Sequence, residues 1–406
     1  MWRGNDGRFY IHGPADYSLW SRLLDDFDDI VLLARVGKGN LQSNNGKPVD
    51  GPSVSIRELP DYLGPSQYLF YLPVLQPRVH RAIEESDRFI LRVPGLVGRL
   101  AWQALTRAKK KYAVEVMGDP WDAFGPGTMP SPFRPVYRHI ASRNTKAICR
   151  GAVAALYWNR SALPRRYPTG NDSYVAVSPS LVVPNGFASD ELMVRRSHRI
   201  AGSKSSLNHG NEKTVRIGFV GSLARLYKGP DTLLRAISIC SHDGLDLKAL
   251  LAGEGRHRRA MELLASQLAI GQKVNFLGQI ESGIPVFDFL DSVDLFVMPS
   301  RAEGFPRALH EAMARGCPCI GSNVGGIPEL LAPEDLVRPN DPKALAQKIM
   351  EVTADPARMK AMSERNLARA KQFDPESLRA ARRAFYQYVR DHSTNNGKSR
   401  RESPVT

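Results

Sequence analysis

Glu303 and Glu311 bracket the run EGFPRALHE. Just upstream, DLFVMPS (Asp294 to Ser300) is apolar and stopped by Pro299 and Ser300, which reads as a buried strand with Glu303 in the loop at its carboxyl end. Open α/β sheets bind ligands at that end. Gly304 and Pro306 bar an earlier helix start, and Pro306 suits a first helical position, so the helix should open near Arg307 with unpaired N–H groups facing the loop. Such an end attracts phosphate. Glu311 sits about one turn inside the helix and Glu303 must fold back over its start. Two acids would repel a bound phosphate, so their targets should be neutral hydroxyls. A carboxylate can accept hydrogen bonds from two neighbouring hydroxyls of a sugar ring. A bare pair of acids at this spacing is more often two solvated side chains around an ordinary helix, so what surrounds the pair decides between the two.

Two flanking segments supply that context. After the strand CPCIG, the loop GSNVGGIPE contains Gly325 and Gly326, which would let backbone approach a ligand closely. Upstream, VRIGFVGSLARLYKGPDTLLRAI gives a strand, Gly221 at its tip, the cations Arg225 and Lys228, and then a helix. Cations in such a loop, opposite a helix N-terminus, can neutralise a diphosphate from both sides.

From Val215 to roughly Phe373 the sequence resembles the retaining GT-B glycosyltransferases of family four, which use nucleotide sugars, and EGFPRALHEAMARGCPCIGSNVGGIPE follows that family's signature almost position for position. The resemblance implies an α/β fold of two Rossmann-like, doubly wound parallel-sheet domains facing across a cleft. It implies that Glu311 holds the ribose hydroxyls, that Glu303 faces the transferred sugar, and that Gly304, Phe305, Pro306 and Arg307 touch the sugar and phosphates with Ser300 beside them. Arg225 and Lys228 would grip the diphosphate, and the strand tip from Gly278 to Glu281 would border the base. The family often has Arg directly after the loop glycine; here Ser222 follows Gly221, and Arg225 would substitute from farther along the loop.

At 406 residues the chain suits two domains. The expected boundaries are 1–194 for an acceptor-side domain, 195–214 for a polar linker, 215–374 for the donor domain, 375–392 for a helix crossing back, and 393–406 for a disordered tail. No apolar run approaches a bilayer span and the opening residues have no signal-peptide core, so the expected location is cytoplasmic. Cys149, Cys240, Cys317 and Cys319 lack metal-ligand spacing and read as buried free thiols. The formal charge of +15 exceeds what a nucleotide site needs. With no aromatic-basic RNA signature, an anionic membrane surface is a better partner than nucleic acid. The helix from Gly98 to Lys111 is read as an ordinary domain helix with a solvated basic end, or alternatively as a lipid-docking element.

The N-terminal half alternates strand and helix, as a parallel sheet requires. Asp16 to Asp29 reads as an amphipathic helix and Asp29 to Val36 as a buried strand, with no first strand before them. Either the chain starts late relative to that strand, or GRFYIHG does reduced duty in its place. GDPWDAF follows the strand YAVEVMG, which puts Asp119 at a tip facing the cleft. Asp119 could take a proton from an acceptor hydroxyl or fix its position; equally it could cap a helix before Pro120. The family often has a histidine in this region, and none stands here.

Sugar transfer of this kind needs stabilisation of the leaving diphosphate, which fixed cations and helix N–H groups supply. The resemblance implies retention of configuration, no protein nucleophile and no metal or other cofactor; the one D-x-D, Asp26 to Asp28, is expected to face solvent. The expected partners are a nucleotide-sugar donor, with UDP favoured, and a saccharide or lipid-linked acceptor. A nucleotide-sugar epimerase of GT-B fold, or a non-catalytic nucleic-acid-binding protein, are the competing readings.

Overall fold

The structure, a computed structural model, describes residues 1–12, 15–37, 46–62, 64–129, 131–178, 186–201, 214–373 and 375–394. Its C-terminal unit is built on six parallel strands. Across the sheet they run Val274–Gly278, Leu247–Ala252, Val215–Val220, Leu295–Met298, Cys319–Ser322, Leu336–Val337. The chain winds outward from Val215–Val220 in one direction, then returns to its other side with Leu295–Met298. The reversal puts a crevice between the ends of those two strands. Leu295–Met298 is buried at all four positions because both sheet faces are covered. Leu295 and Val297 join one core with Phe219 and Leu233, while Phe296 and Met298 join another with Leu309 and Met313.

The N-terminal unit carries four parallel strands in sequence order, Ile90–Val93, Ala113–Val116, Ala154–Tyr157 and Tyr174–Val177. A separate parallel pair, Ile30–Val36 with Val54–Pro60, shares its core through Leu33 and Leu59 packed with Leu75, Leu91 and Leu105. Four expectations for this half are corrected. The segment from Asp16 to Asp29 forms only a turn of α-helix, Tyr17–Trp20, and a 3-10 turn, Ser21–Asp25; the acids Asp25, Asp26, Asp28 and Asp29 oppose the negative C-terminal end of any longer helix. Ile30–Val36 is half-buried rather than buried, with Val31 exposed. Asp26 of the D-x-D does not face solvent; it is buried opposite Arg390. Phe9–Ile11, within GRFYIHG, pairs antiparallel with Trp2–Arg3 and Lys47–Pro48 and so does not act as a parallel first strand.

The polar stretch read as a linker begins as helix. Asp190–Ala201 docks on the C-terminal unit, where Arg196 donates to the carbonyls of Val293 at 2.9 Å and Leu290 at 3.0 Å, and Arg199 pairs with Asp294 at 2.8 Å. These arginines satisfy carbonyls at the end of the helix Ile284–Ser292. Composition alone made them look solvated. Residues 202–213 of the expected linker and 395–406 of the expected tail lie outside the described residues. The last helix, Pro375–His392, packs Phe385, Tyr386 and Val389 against Ala113, Leu156 and Ala176 of the N-terminal sheet. Glu115, buried in that sheet, accepts from Tyr386 at 2.7 Å and pairs with Arg92 and Arg382. All four cysteines are buried free thiols. Among the described residues no helix is long and apolar enough to cross a membrane.

Candidate functional site

The crevice at the strand reversal is walled by two loops. One follows Val215–Val220 and leads through a 3-10 turn, Leu226–Lys228, into the helix Pro230–His242. The other follows Leu295–Met298 and leads into the helix Arg307–Ala314. Between them Gly229 has φ +71°, and a Cβ there would lie 2.1 Å from the Pro299 carbonyl oxygen. Only glycine allows this turn and this approach together. The junction is fixed from behind by Arg301, which is buried and donates to both oxygens of Asp231 at 2.8 and 2.7 Å.

That junction brings Lys228 to Glu303. The Lys228 ammonium lies 2.7 Å from Glu303 Oε1, and the buried Ser300 hydroxyl donates to the same oxygen at 2.7 Å. Burial works against the Lys228 charge, but the facing carboxylate outweighs it and holds the ammonium above the ordinary lysine value. The helix beyond opens at Arg307, as its sequence predicts, with Pro306 as the residue before its first turn. Arg307 N–H folds back to the Phe305 carbonyl at 3.0 Å, while the N–H groups of Ala308 and Leu309 have no acceptor among the described residues. Arg307 is exposed above this end.

Glu311 lies one turn in, half-buried, with no hydrogen-bond or ion-pair partner among the described residues. Burial raises its carboxyl above the ordinary value, and Arg307 only partly offsets that. Phe305 is buried against Phe373 and His310 and serves as a packing anchor. Burial lowers the His310 imidazole to about 4, and its Nε2 meets the Ala370 carbonyl at 3.1 Å.

The remaining sequence candidates divide. Gly221 closes the loop base, its N–H donating to Ala252 O at 2.9 Å, and Ser222 accepts from Ala224 N at 3.2 Å within its own loop. Gly278 adopts φ +74° at its strand tip. Arg225 is exposed, without a hydrogen-bond or ion-pair partner among the described residues, and does not join the Lys228–Glu303 contact. Of the two readings of Asp119, the structure shows the helix cap rather than a free group. It is buried, caps the short helix Pro120–Ala123 by accepting from Trp121 N at 2.8 Å, pairs with Arg166, and accepts from Tyr167. These donors engage both of its oxygens.

Gly325 and Gly326 also differ from their reading. Their missing side chains make room for protein backbone: a Cβ on Gly325 would meet Glu303 O at 1.9 Å, and one on Gly326 would meet Gly304 O at 2.5 Å. The same segment reaches the N-terminal unit. Glu329 accepts from Arg160 N and Ser161 N at 2.8 Å each and from Ser161 Oγ at 2.6 Å, and Asn159 Nδ2 donates to Gly304 O at 3.1 Å. Neither Glu329 nor Asn159 was singled out in the sequence, although Glu329 closes the quoted run GSNVGGIPE. Among the described residues no group of three or more His, Cys, Asp and Glu side chains is placed to hold a metal ion.

The arrangement can bind an anion at the Arg307 helix end beside Lys228, with Glu311 open to hydroxyl donors. Comparison with known proteins agrees in architecture. Residues 204–369 match the family described as glycosyl transferases group 1. Over 336 residues the chain is 25% identical to Protein CapJ of Staphylococcus aureus, covering 82% of this chain and 79% of CapJ. Sucrose-phosphate synthase from Thermosynechococcus elongatus superposes with a TM-score of 0.63 at 20% identity, covering 82% of this chain and 83% of that one. HepE of Anabaena in complex with UDP-glucose superposes with a TM-score of 0.59 at 17% identity, covering 87% and 90%. The fold is GT-B, and residues 204–369 are similar to the group 1 glycosyl transferases.

Proposed function

We propose that this protein moves a sugar from a nucleoside diphosphate sugar, UDP by preference, to an acceptor hydroxyl with retention of anomeric configuration. The observation that carries the reading is the Glu311 carboxylate, without a partner among the described residues, one turn behind a helix end whose Ala308 and Leu309 N–H groups are open, with the Lys228–Glu303 pair beside it. The diphosphate lies against those N–H groups and Lys228, with Arg225 and Arg307 closing from the solvent side. Glu311 accepts from the two ribose hydroxyls, and Glu303, oriented by Ser300, faces the transferred sugar. The family match and the UDP-glucose complex of HepE support a nucleotide sugar as the donor.

In the reaction the bond from the sugar C1 to the phosphate oxygen breaks as the acceptor oxygen bonds to C1 on the same face. The acceptor proton passes to the departing phosphate oxygen. Negative charge grows on the diphosphate, and groups already fixed around it stabilise that charge without rearranging. No metal has a step here, so the reading expects turnover to survive chelation. The acceptor is a saccharide, in the favoured form lipid-linked at the cytoplasmic face of a membrane. Thermal unfolding followed with UDP, GDP and their sugars tests the donor. Protection by UDP and UDP-sugars above GDP supports the reading, and no protection by any nucleotide opposes it. Proton NMR of the product's anomeric coupling tests retention.

A further inference from the structure

The helix Arg134–Arg150 (RPVYRHIASRNTKAICR) is turned to solvent along one side. Phe133 just before it, Val136 and Ile140 are 63%, 52% and 47% exposed, a large apolar surface for three neighbouring positions. Their spacing of three and four residues aligns them on one stripe. The same stripe continues through Arg143, Lys146 and Arg150, all exposed, and the helix contains no acidic residue. The inward positions Ser142, Thr145, Ile148 and Cys149 are buried, so the apolar stripe is a second face, unused by the core.

Two features say what covers it. First, the cations continue beyond the helix. Arg150 and Lys111, from the basic end following the helix Leu96–Arg107, line one surface depression, where Asp172 is the one acid. An apolar stripe running into a cluster of cations matches the boundary of an anionic bilayer, where acyl chains lie just beneath negatively charged headgroups. A protein surface offering the same pattern over this length is a narrower requirement. Second, the segment leading to the apolar end is anchored beside a loop that walls the crevice. The loop preceding Phe133 touches the C-terminal unit, with Asn340 donating to Pro126 O at 3.1 Å, and Gly127 packed where a Cβ would meet Arg301 Nε at 2.9 Å.

We propose that this stripe, from Phe133 to Arg150, is the surface by which the protein lies on an anionic membrane, and that it sets the crevice at the lipid boundary. The inference rests on the proposed function only in its consequence, access to a lipid-linked acceptor; the docking itself is independent of the reaction. It also moves the contact from the helix Gly98 to Lys111, where the sequence offered it, to a neighbouring helix, and keeps only the basic end of the former.

Sedimentation with vesicles of phosphatidylcholine, with and without phosphatidylglycerol, tests it. The full chain should bind the anionic vesicles at low salt and leave the neutral ones. Neutralising two cations with Arg143→Ala and Lys146→Ala should weaken binding roughly thirty-fold, at about five-fold for each charge. Val136→Ser with Ile140→Ser should weaken it as well, although it leaves the charge unchanged. Both pairs should keep the parent's melting temperature and its UDP protection, which reads the donor site separately. Equal binding of variants and parent, or equal binding to neutral vesicles, overturns the proposal. So does a concentration-dependent dimer that Ile140→Ser dissociates.

Discussion

Lys228 Nζ lies 2.7 Å from Glu303 Oε1 across 75 residues of sequence, and the two side chains are only 16% and 5% exposed. The pair joins the two loops that wall the crevice and puts a largely buried cation beside the carboxylate proposed to face the sugar. Arrival of a diphosphate gives Lys228 a second anion to neutralise. That charge relationship makes the two residues separable by experiment.

Lys228→Met should lower kcat by roughly 10²–10³-fold, the usual effect of losing a group that stabilises charge in the transition state. It should also destabilise the protein by about 3–5 kcal/mol, because Glu303 is left as a buried carboxylate without its cation. Adding Glu303→Gln should restore stability in urea unfolding while activity stays low. Activity recovering with stability would mean that Lys228 acts only as a structural partner.

Glu311→Gln should make the unliganded protein more stable at neutral pH. Burial raises the folded-state carboxyl above its ordinary value of 4.5, so the native state binds the proton more tightly and disfavours the charged form. The stability tied to the protonated group is complete below 4.5 and is lost as pH rises through the raised value. Melting curves from pH 4 to 7 should therefore show the variant gaining on the parent as pH rises, with the difference vanishing at the acid end.

Glu329→Ala removes three contacts between the halves of the molecule, at 2.6 to 2.8 Å, without touching the donor groups directly. The expected result is a fall in kcat of about ten-fold, equivalent to about 1.4 kcal/mol, with UDP affinity unchanged. Small-angle scattering should show a more extended molecule. An unchanged radius of gyration with a lost UDP affinity would instead mean local collapse of the GGIPE loop.

His310 sets an acid limit. Its imidazole is buried neutral and titrates at about 4 rather than 6.5. A lowered base of this kind contributes stability above the unfolded value that is lost as pH falls through the folded one, by up to roughly 3 kcal/mol between those limits. A His310→Leu variant should flatten the stability curve in that window, and an equally steep curve in the variant would assign the loss to another group.

Much of the C-terminal half was legible because its signals are local. Pro299 and Ser300 end a strand, Gly304 and Pro306 delay a helix to Arg307, and the helix Pro375–His392 follows its own apolar spacing. What stayed hidden depends on partners far along the chain. Asp119 read equally as a free acid or as a helix cap, because the donors that hold it, Arg166 and Tyr167, stand 47 and 48 positions later. Gly325 and Gly326 signalled a close approach correctly in kind, but the approaching atoms belong to Glu303 and Gly304 rather than to a ligand. Glu329 gave no local hint, since its three donors sit at positions 160 and 161. The arginines of Asp190–Ala201 looked like linker for the same reason, their carbonyl partners lying more than 90 residues away.

Glu311 is the residue on which the account turns, and calorimetric titration of UDP into Glu311→Ala measures its role directly. Losing two hydroxyl bonds to a charged carboxylate should weaken UDP binding by roughly ten- to a hundred-fold at neutral pH. Affinity equal to that of the parent would contradict the account, because the carboxylate would then hold no part of the nucleotide.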